Sequence, residues 1–198
     1  MKKITTILAV AIAMAGTASA QSSTQQSMTP EQAEMMKKWE AYMTPGDIHK
    51  MLAKSNGEWN EDVTMWMDPA APPQKSTSTA TNTMIMGGRY QQSMHRGSFN
   101  GMPFEGMSLL GYDNAKKTFI STWIDNMGTG IMTMEGTYDP NTKTVTSKGH
   151  EVDPMTGKDM DVREVFTMVD DNTQIMSMYM TPAGGKEFKT MEIKFTRK

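Results

Sequence analysis

Gly57-Glu58-Trp59-Asn60-Glu61-Asp62-Val63-Thr64-Met65-Trp66-Met67 is where the hydrophobic period of this chain changes from 3.6 to 2. Trp59, Val63, Met65 and Met67 fall on one side of an extended segment, with Asp62 and Thr64 on the other, so a strand is predicted over residues 58–67. The run Asp68-Pro69-Ala70-Ala71-Pro72-Pro73 ends it, because three prolines lack the donor that a central strand supplies. The same alternation then repeats, and further strands are predicted at residues 75–86, 89–97, 104–112, 117–125, 130–138, 143–152, 158–169, 173–181 and 187–197.

Between these segments lie short turns that open on Asp: Asp113-Asn114, Asp139-Pro140-Asn141, Asp153-Pro154-Met155-Thr156-Gly157 and Asp170-Asp171-Asn172. An Asp side chain there accepts from backbone donors of the reversal, which favours tight hairpins. Pro182-Ala183-Gly184-Gly185 serves the same end. Connections this short make successive strands antiparallel neighbours, and closing the resulting meander removes its exposed edges. The expected fold is all-β: an up-and-down barrel of about ten strands, a size that also admits a small ligand.

Working back from Gly57, the period is helical. Thr29-Pro30-Glu31-Gln32 carries an N-cap, a proline at the first helical position and a capping-box glutamine. The helix should run to about Tyr42, and its Met36, Trp39 and Met43 are expected to pack on the barrel or cover one mouth. Thr44-Pro45-Gly46-Asp47 is expected to start a second short helix with Ile48, Met51 and Leu52 on one face. Ahead of both, Lys2 and Lys3, the apolar run Ile4 to Ala15 and Ala18-Ser19-Ala20 have the form of a cleavable export signal. The expected organisation is therefore a signal peptide (1–20), a disordered spacer (21–28), N-terminal helices (29–56) and a barrel domain (57–198). The expected location is the periplasm or the medium. No apolar run approaches the roughly 20 residues of a membrane helix, so no integral membrane segment is expected.

The chain has no cysteine, so stability in an oxidising compartment must come from the core. Its formal net charge is −2, and loss of Lys2 and Lys3 makes the mature chain more negative still, which argues against nucleic acid as a partner.

Pro45-Gly46, His49-Lys50, Gly57-Glu58-Trp59, Gly87-Gly88-Arg89-Tyr90, Phe104-Glu105-Gly106, Gly111-Tyr112-Asp113, Trp123-Ile124-Asp125, Gly136-Thr137-Tyr138, Arg163-Glu164 and Lys189-Thr190-Met191-Glu192 stand in this order along the chain. Together they resemble the pattern of a bacterial family, domain of unknown function 1579. Gly57-Glu58-Trp59 in particular is similar to the Gly-x-Trp element of calycin barrels, which include lipocalins, fatty-acid-binding proteins and nitrobindin-like proteins. The resemblance implies a calycin-like barrel and brings no substrate, cofactor or catalytic residue with it. Nitrobindin-like proteins bind haem through a histidine late in the chain; here no histidine follows His150, so that ligand does not carry over.

Methionine supplies 24 residues, and all but Met1 and Met14 lie beyond the expected cleavage site. Met65/Met67, Met84/Met86, Met132/Met134 and Met176/Met178/Met180 share strand faces by their spacing. A core in which Met replaces Leu and Ile explains this pattern, since Met fills irregular space. A thioether site for Cu(I), or an oxidisable buffer, is the functional alternative.

No nucleophile elbow, phosphate loop or metal-ligand spacing is present, and His49, His95 and His150 stand apart in sequence. Neither a catalytic residue nor a metal site is assigned, the cofactor is left unknown, and non-enzymatic binding of a small apolar molecule is favoured, with the oligomeric state open. The candidate ligand contacts are Trp66, Arg89, Tyr90, His95, Trp123, Arg163 and Tyr179. Arg163 and Tyr179 would orient a polar head group if they face inward, although Arg163 pairing with a cross-strand carboxylate on the solvent face is the simpler reading. Trp123 is read as a rim aromatic or a core anchor. Arg89, Tyr90 and Arg96 near His95 suggest a polar end to a cavity, and a barrel-pocket enzyme using His95 is the second reading.

Overall fold

The structure, a computed structural model, describes residues 28–198. The expected export signal and all of the expected spacer but Met28 lie outside the described residues.

Helix α1 (Pro30–Met43) starts as its sequence predicts: Thr29 Oγ1 accepts from the Gln32 amide at 3.2 Å, and Gln32 Oε1 accepts from the Thr29 amide at 2.9 Å. Its apolar stripe does not pack on the barrel. No residue of α1 is buried, and Met36, Trp39 and Met43 are each about half exposed. The barrel instead grips the end of this helix through its carbonyls. Asn114 Nδ2 donates to Tyr42 O and Thr44 O at 3.0 and 2.9 Å, and Arg89 donates to Met43 O at 2.8 Å.

Thr44 closes α1 rather than opening α2 (Asp47–Ala53), because its hydroxyl donates back to Glu40 O at 2.6 Å. Helix α2 begins after Gly46, whose N–H is taken by His49 Nδ1 at 3.1 Å. This second helix is the one that packs against the sheet. Leu52 forms a core cluster with Phe119 and Val145, and Ile48 and Met51 pack against it.

Ten strands follow: β1 (Gly57–Met65), β2 (Gln74–Ile85), β3 (Tyr90–Phe99), β4 (Met102–Asp113), β5 (Thr118–Asp125), β6 (Met132–Asp139), β7 (Thr144–Val152), β8 (Asp159–Met168), β9 (Thr173–Thr181) and β10 (Phe188–Arg197). Each pairs antiparallel with its neighbour, and β1 pairs β10 to close the barrel. The Asp-led turns form as expected: Asp113, Asp139, Asp153 and Asp170 each accept from the amide two residues on, at 2.7 to 2.9 Å. The first strand stops at Met65, so Met67 lies beyond the ladder and is exposed.

Side-chain direction follows from register. Trp59, Val63, Ala80, Met134, Val162, Met176, Met178, Ile193 and Phe195 form one buried cluster, and this fixes which phase of each strand points inward. Met132, Met134, Met176 and Met178 thus belong to the packed interior, whereas Met67 and Met86 are exposed.

Candidate functional site

The two ends of the barrel are built differently. At the α2 end, polar side chains reach the helix and its C-terminal turn: Trp59 Nε1 and Asn82 Nδ2 donate to Ser55 O, Gln91 Nε2 donates to Leu52 O, and Gln174 Nε2 donates to Ser55 Oγ. Every one of these buried groups is partnered, which seals that end. At the opposite end the inward phase carries Met65, Phe104, Trp123, Met132, Met180 and Met191, all only partly buried. An apolar mouth therefore opens away from α2.

Between plug and mouth the lumen is polar. Glu61, in the inward phase of β1 between Trp59 and Val63, is 2% exposed. His95 Nδ1 lies 2.7 Å from Glu61 Oε1, and Ser78 Oγ donates to Glu61 Oε2. With the carboxylate as acceptor, Nδ1 carries the proton, and Nε2 has no partner among the described residues. The His95 ring sits edge-on to Trp123, with centroids 5.1 Å apart. Trp123 is itself stacked near Phe104 and donates from Nε1 to Asp125 Oδ2 at 2.8 Å. Gly106 on β4 makes room for this indole: a Cβ there would lie 2.5 Å from its ring carbons. Any larger residue would push Trp123 off the His95 edge.

Glu164 faces this group from the other side of the barrel. It occupies the inward phase of β8 between Val162 and Phe166, beside Ser147 of β7 and Met178 of β9. Burial pushes its carboxyl up to about 7, with the charge of His95 pulling weakly the other way. Yet Glu164 keeps some solvent exposure, and among the described residues no fully buried side-chain nitrogen or oxygen lacks a hydrogen-bond partner. A carboxyl that is surrounded by protein, still reached by water and bonded to no neighbour among the described residues lines a recess. Nearer the mouth, burial raises the Glu151 carboxyl and the charge of Asp125 adds to the effect.

Residues 44–197 match the family described as protein of unknown function (DUF1579). The chain belongs to that family. None of the curated proteins matches it. Among solved structures, Rv2717c from M. tuberculosis is similar in fold, with a TM-score of 0.55 and 13% identity over 78% of this chain and 99% of that one. The S-type phycobiliprotein lyase CPES from Guillardia theta gives a TM-score of 0.53 and 13% identity over 81% of this chain and 96% of that one. At such identity the likeness is one of fold alone, a calycin-like closed barrel.

Of the residues singled out in the sequence of this DUF1579 protein, the fold brings His95 and Trp123 together in the lumen. Trp66, Arg163 and Tyr179 also meet, but on the outer wall. Arg163 lies 4.0 Å over the Tyr179 ring and pairs through two nitrogens with Glu187, at 2.8 and 2.7 Å, while Lys189 Nζ is 5.8 Å from the ring centres of both Tyr179 and Trp66. Arg163 and Tyr179 are cross-strand partners, so when Val162 and Glu164 take the inward phase both must face out. Neither orients a ligand inside the barrel.

Arg89 and Tyr90 lie at the α2 end, away from His95, where they line an external recess of about 350 Å³ with Tyr42, His49 and Tyr112. A second recess of about 370 Å³ sits at the mouth rim between Met65, Gln74, Ser76 and Phe99. Neither contains His95. His150 pairs with Asp161 on the exposed wall, and among the described residues no three His, Asp or Glu side chains converge as metal ligands.

Glu61 and Glu164 were not among the predicted contacts. The signal that finds them is a charged residue in the apolar phase of a strand, Trp59-x-Glu61-x-Val63 and Val162-x-Glu164-x-Phe166.

Proposed function

We propose that this protein is exported and binds a small molecule in the open half of its barrel. The apolar body of the ligand lies against the mouth methionines, Phe104 and Trp123, and a polar group reaches the set formed by Glu61, His95 and Glu164. One observation carries the reading: the Glu164 carboxyl, in the inward phase of β8, is raised by burial, still reached by water and without a hydrogen-bond partner among the described residues. A group that costs stability without a bonding partner has a use when something else bonds it. The paired lysines and the Ala18-Ser19-Ala20 site support export.

Native mass spectrometry of protein exported through its own signal and purified gently tests this reading. An added mass that leaves on denaturation, and leaves more readily from Glu164→Gln, is the expected result. A bare polypeptide that also fails to take up apolar probes would overturn it.

The 2.7 Å contact between His95 Nδ1 and Glu61 favours a second reading, in which Glu61 orients His95 and Nε2 moves a proton on a bound substrate. Turnover lost in His95→Ala with folding intact would establish it; unchanged turnover would remove it.

A further inference from the structure

The fixed charges in the open half of this barrel are of one sign. In the inward phase of the open half stand Glu61, Glu164, Asp125 and Glu151, with His95 as the sole basic group among the described residues. The nearby cations take the opposite phase: Arg96 pairs with Glu105, Arg163 with Glu187 and Lys189 with Glu192, all on the outer wall. Arg197 does occupy an inward position, but at the plugged end, where its guanidinium is held by the carbonyls of Lys54, Asn56 and Asp171.

We infer that the ligand is an organic cation, a protonated amine or quaternary ammonium on an apolar body, whose charge lies between Glu164 and the Glu61–His95 pair. The inference rests on the lumen being the binding site. A cation entering from the mouth meets carboxylates on several walls and the faces of Trp123 and Phe104, which attract positive charge. An anion meets the same carboxylates across a medium that screens poorly, and no lysine or arginine offsets them. A bare metal ion is served less well, because the carboxylates are spread around the wall and no three ligands converge among the described residues. The methionine mouth suits an alkyl or aryl body of variable shape, since thioether side chains repack easily.

The charge that reaches Glu164 across the lumen is that of His95, which itself holds Glu61; Ser147 and Met178 flank it on the neighbouring strands, and Glu151 and Asp125 stand in the inward phase toward the mouth. None of these is a fixed cation. Ionised Glu164 therefore gains more from a bound ammonium than from any side chain, and affinity for the cation should rise with pH as that carboxyl ionises.

The test uses three probes that share one tail: octyltrimethylammonium, octyl sulfate and octanol, titrated calorimetrically into the protein at about pH 8, where the Glu164 carboxyl is mainly ionised. The ammonium should bind at least about 10-fold tighter than the sulfate, the ratio a single desolvated charge contact readily supplies. Glu164→Gln should cut that preference several-fold while octanol still binds, which separates lost charge from a damaged pocket. Glu187→Gln, on the outer wall, should change neither. Equal affinity for ammonium and sulfate, or preference for the sulfate, overturns the cation assignment while the lumen remains a binding site. Failure of all three probes to bind overturns the lumen reading itself.

Discussion

The guanidinium of Arg197 lies 4.3 Å from the centre of the Trp59 ring, and the two are cross-strand partners at the seam where β10 meets β1. The last strand is thus fastened to the first through a cation–π contact. The same side chain ties two other segments to that seam, donating to Lys54 O at 2.6 Å and Asn56 O at 2.8 Å in the turn after α2 and to Asp171 O at 3.0 Å in the β8–β9 turn. Carbonyls after the end of α2 have no helical partners of their own, so Arg197 satisfies the turn that carries the plug into β1.

Arg197→Ala is accordingly expected to cost about 2–4 kcal/mol, the sum of a partly desolvated cation–π contact and several charge-assisted hydrogen bonds. Arg197→Lys should recover only part of this, since one ammonium cannot serve three carbonyls and a ring face together. Urea unfolding followed by tryptophan fluorescence checks both, and an alanine variant as stable as wild type would show that the seam closes without this fastening.

Glu164 makes the fold less stable as it ionises. Its carboxyl is ordinary near 4.5 and stands at about 7 in the folded chain, so the folded state holds the proton more tightly. Its contribution is at its most favourable below the ordinary value and is lost as pH rises through the folded one. Glu164→Gln removes the titration, and the variant should exceed wild type above pH 7 by up to about 3 kcal/mol, less where water screens the charge. The two should converge below about pH 4.5. Urea midpoints at both extremes measure the difference, and a variant less stable than wild type at high pH would contradict the desolvated position of this group.

His49 acts in the opposite direction within the same range. Burial lowers its pKa first of all, a backbone contact to Tyr112 partly offsets this, and the Arg89 charge lowers it further. Its Nδ1 already accepts from the Gly46 amide, so protonation would set two donors against each other at the start of α2. A histidine with a lowered folded pKa stabilises above its ordinary value of 6.5 and loses that contribution as pH falls through that value toward the folded pKa. In a Glu164→Gln background, which removes the opposing titration, melting temperature should drop on acidification past that value, and His49→Asn should flatten the drop by keeping a neutral acceptor. An unchanged slope in the double variant would place the acid sensitivity elsewhere.

How much of this was legible in the chain depended on what each local pattern constrains. Alternation and Asp-led turns specify strand and hairpin directly, and the ten strands start and end within two residues of their predicted places. The phase of a strand is harder: a shift of one residue moves a side chain from lumen to solvent, and Arg163, read beside Val162 and Glu164, could be assigned only once the register with β7 and β9 was known. Glu61 and His95 lie 34 residues apart and meet because Ala80 of β2 stands opposite both Trp59 and His95, a relation no single segment contains. Glu164 is hidden for a different reason. A carboxylate among apolar neighbours reads as a solvent-facing residue until the alternation is counted through it.

Helix α1 shows the converse limit, because an apolar arc on a helix does not say what covers it. Met35, Met36, Trp39, Tyr42 and Met43 are each about half exposed, no residue of the helix is buried, and the family match begins only at residue 44. The barrel contributes hydrogen bonds from Asn114 and Arg89 to carbonyls at the C-terminal end of the helix, and bonds this exposed add little to stability. A chain beginning at Thr44 should therefore fold to the same closed barrel, losing no more than about 1 kcal/mol. It should also keep the affinity of the longer protein for a lumen ligand, since the mouth lies at the end opposite α2. Comparing thermal melts and probe titrations of the two lengths checks this. A truncated chain that unfolds at markedly lower temperature would mean that the exposed stripe stabilises the barrel in solution, and one that folds but no longer binds would place part of the ligand site on α1.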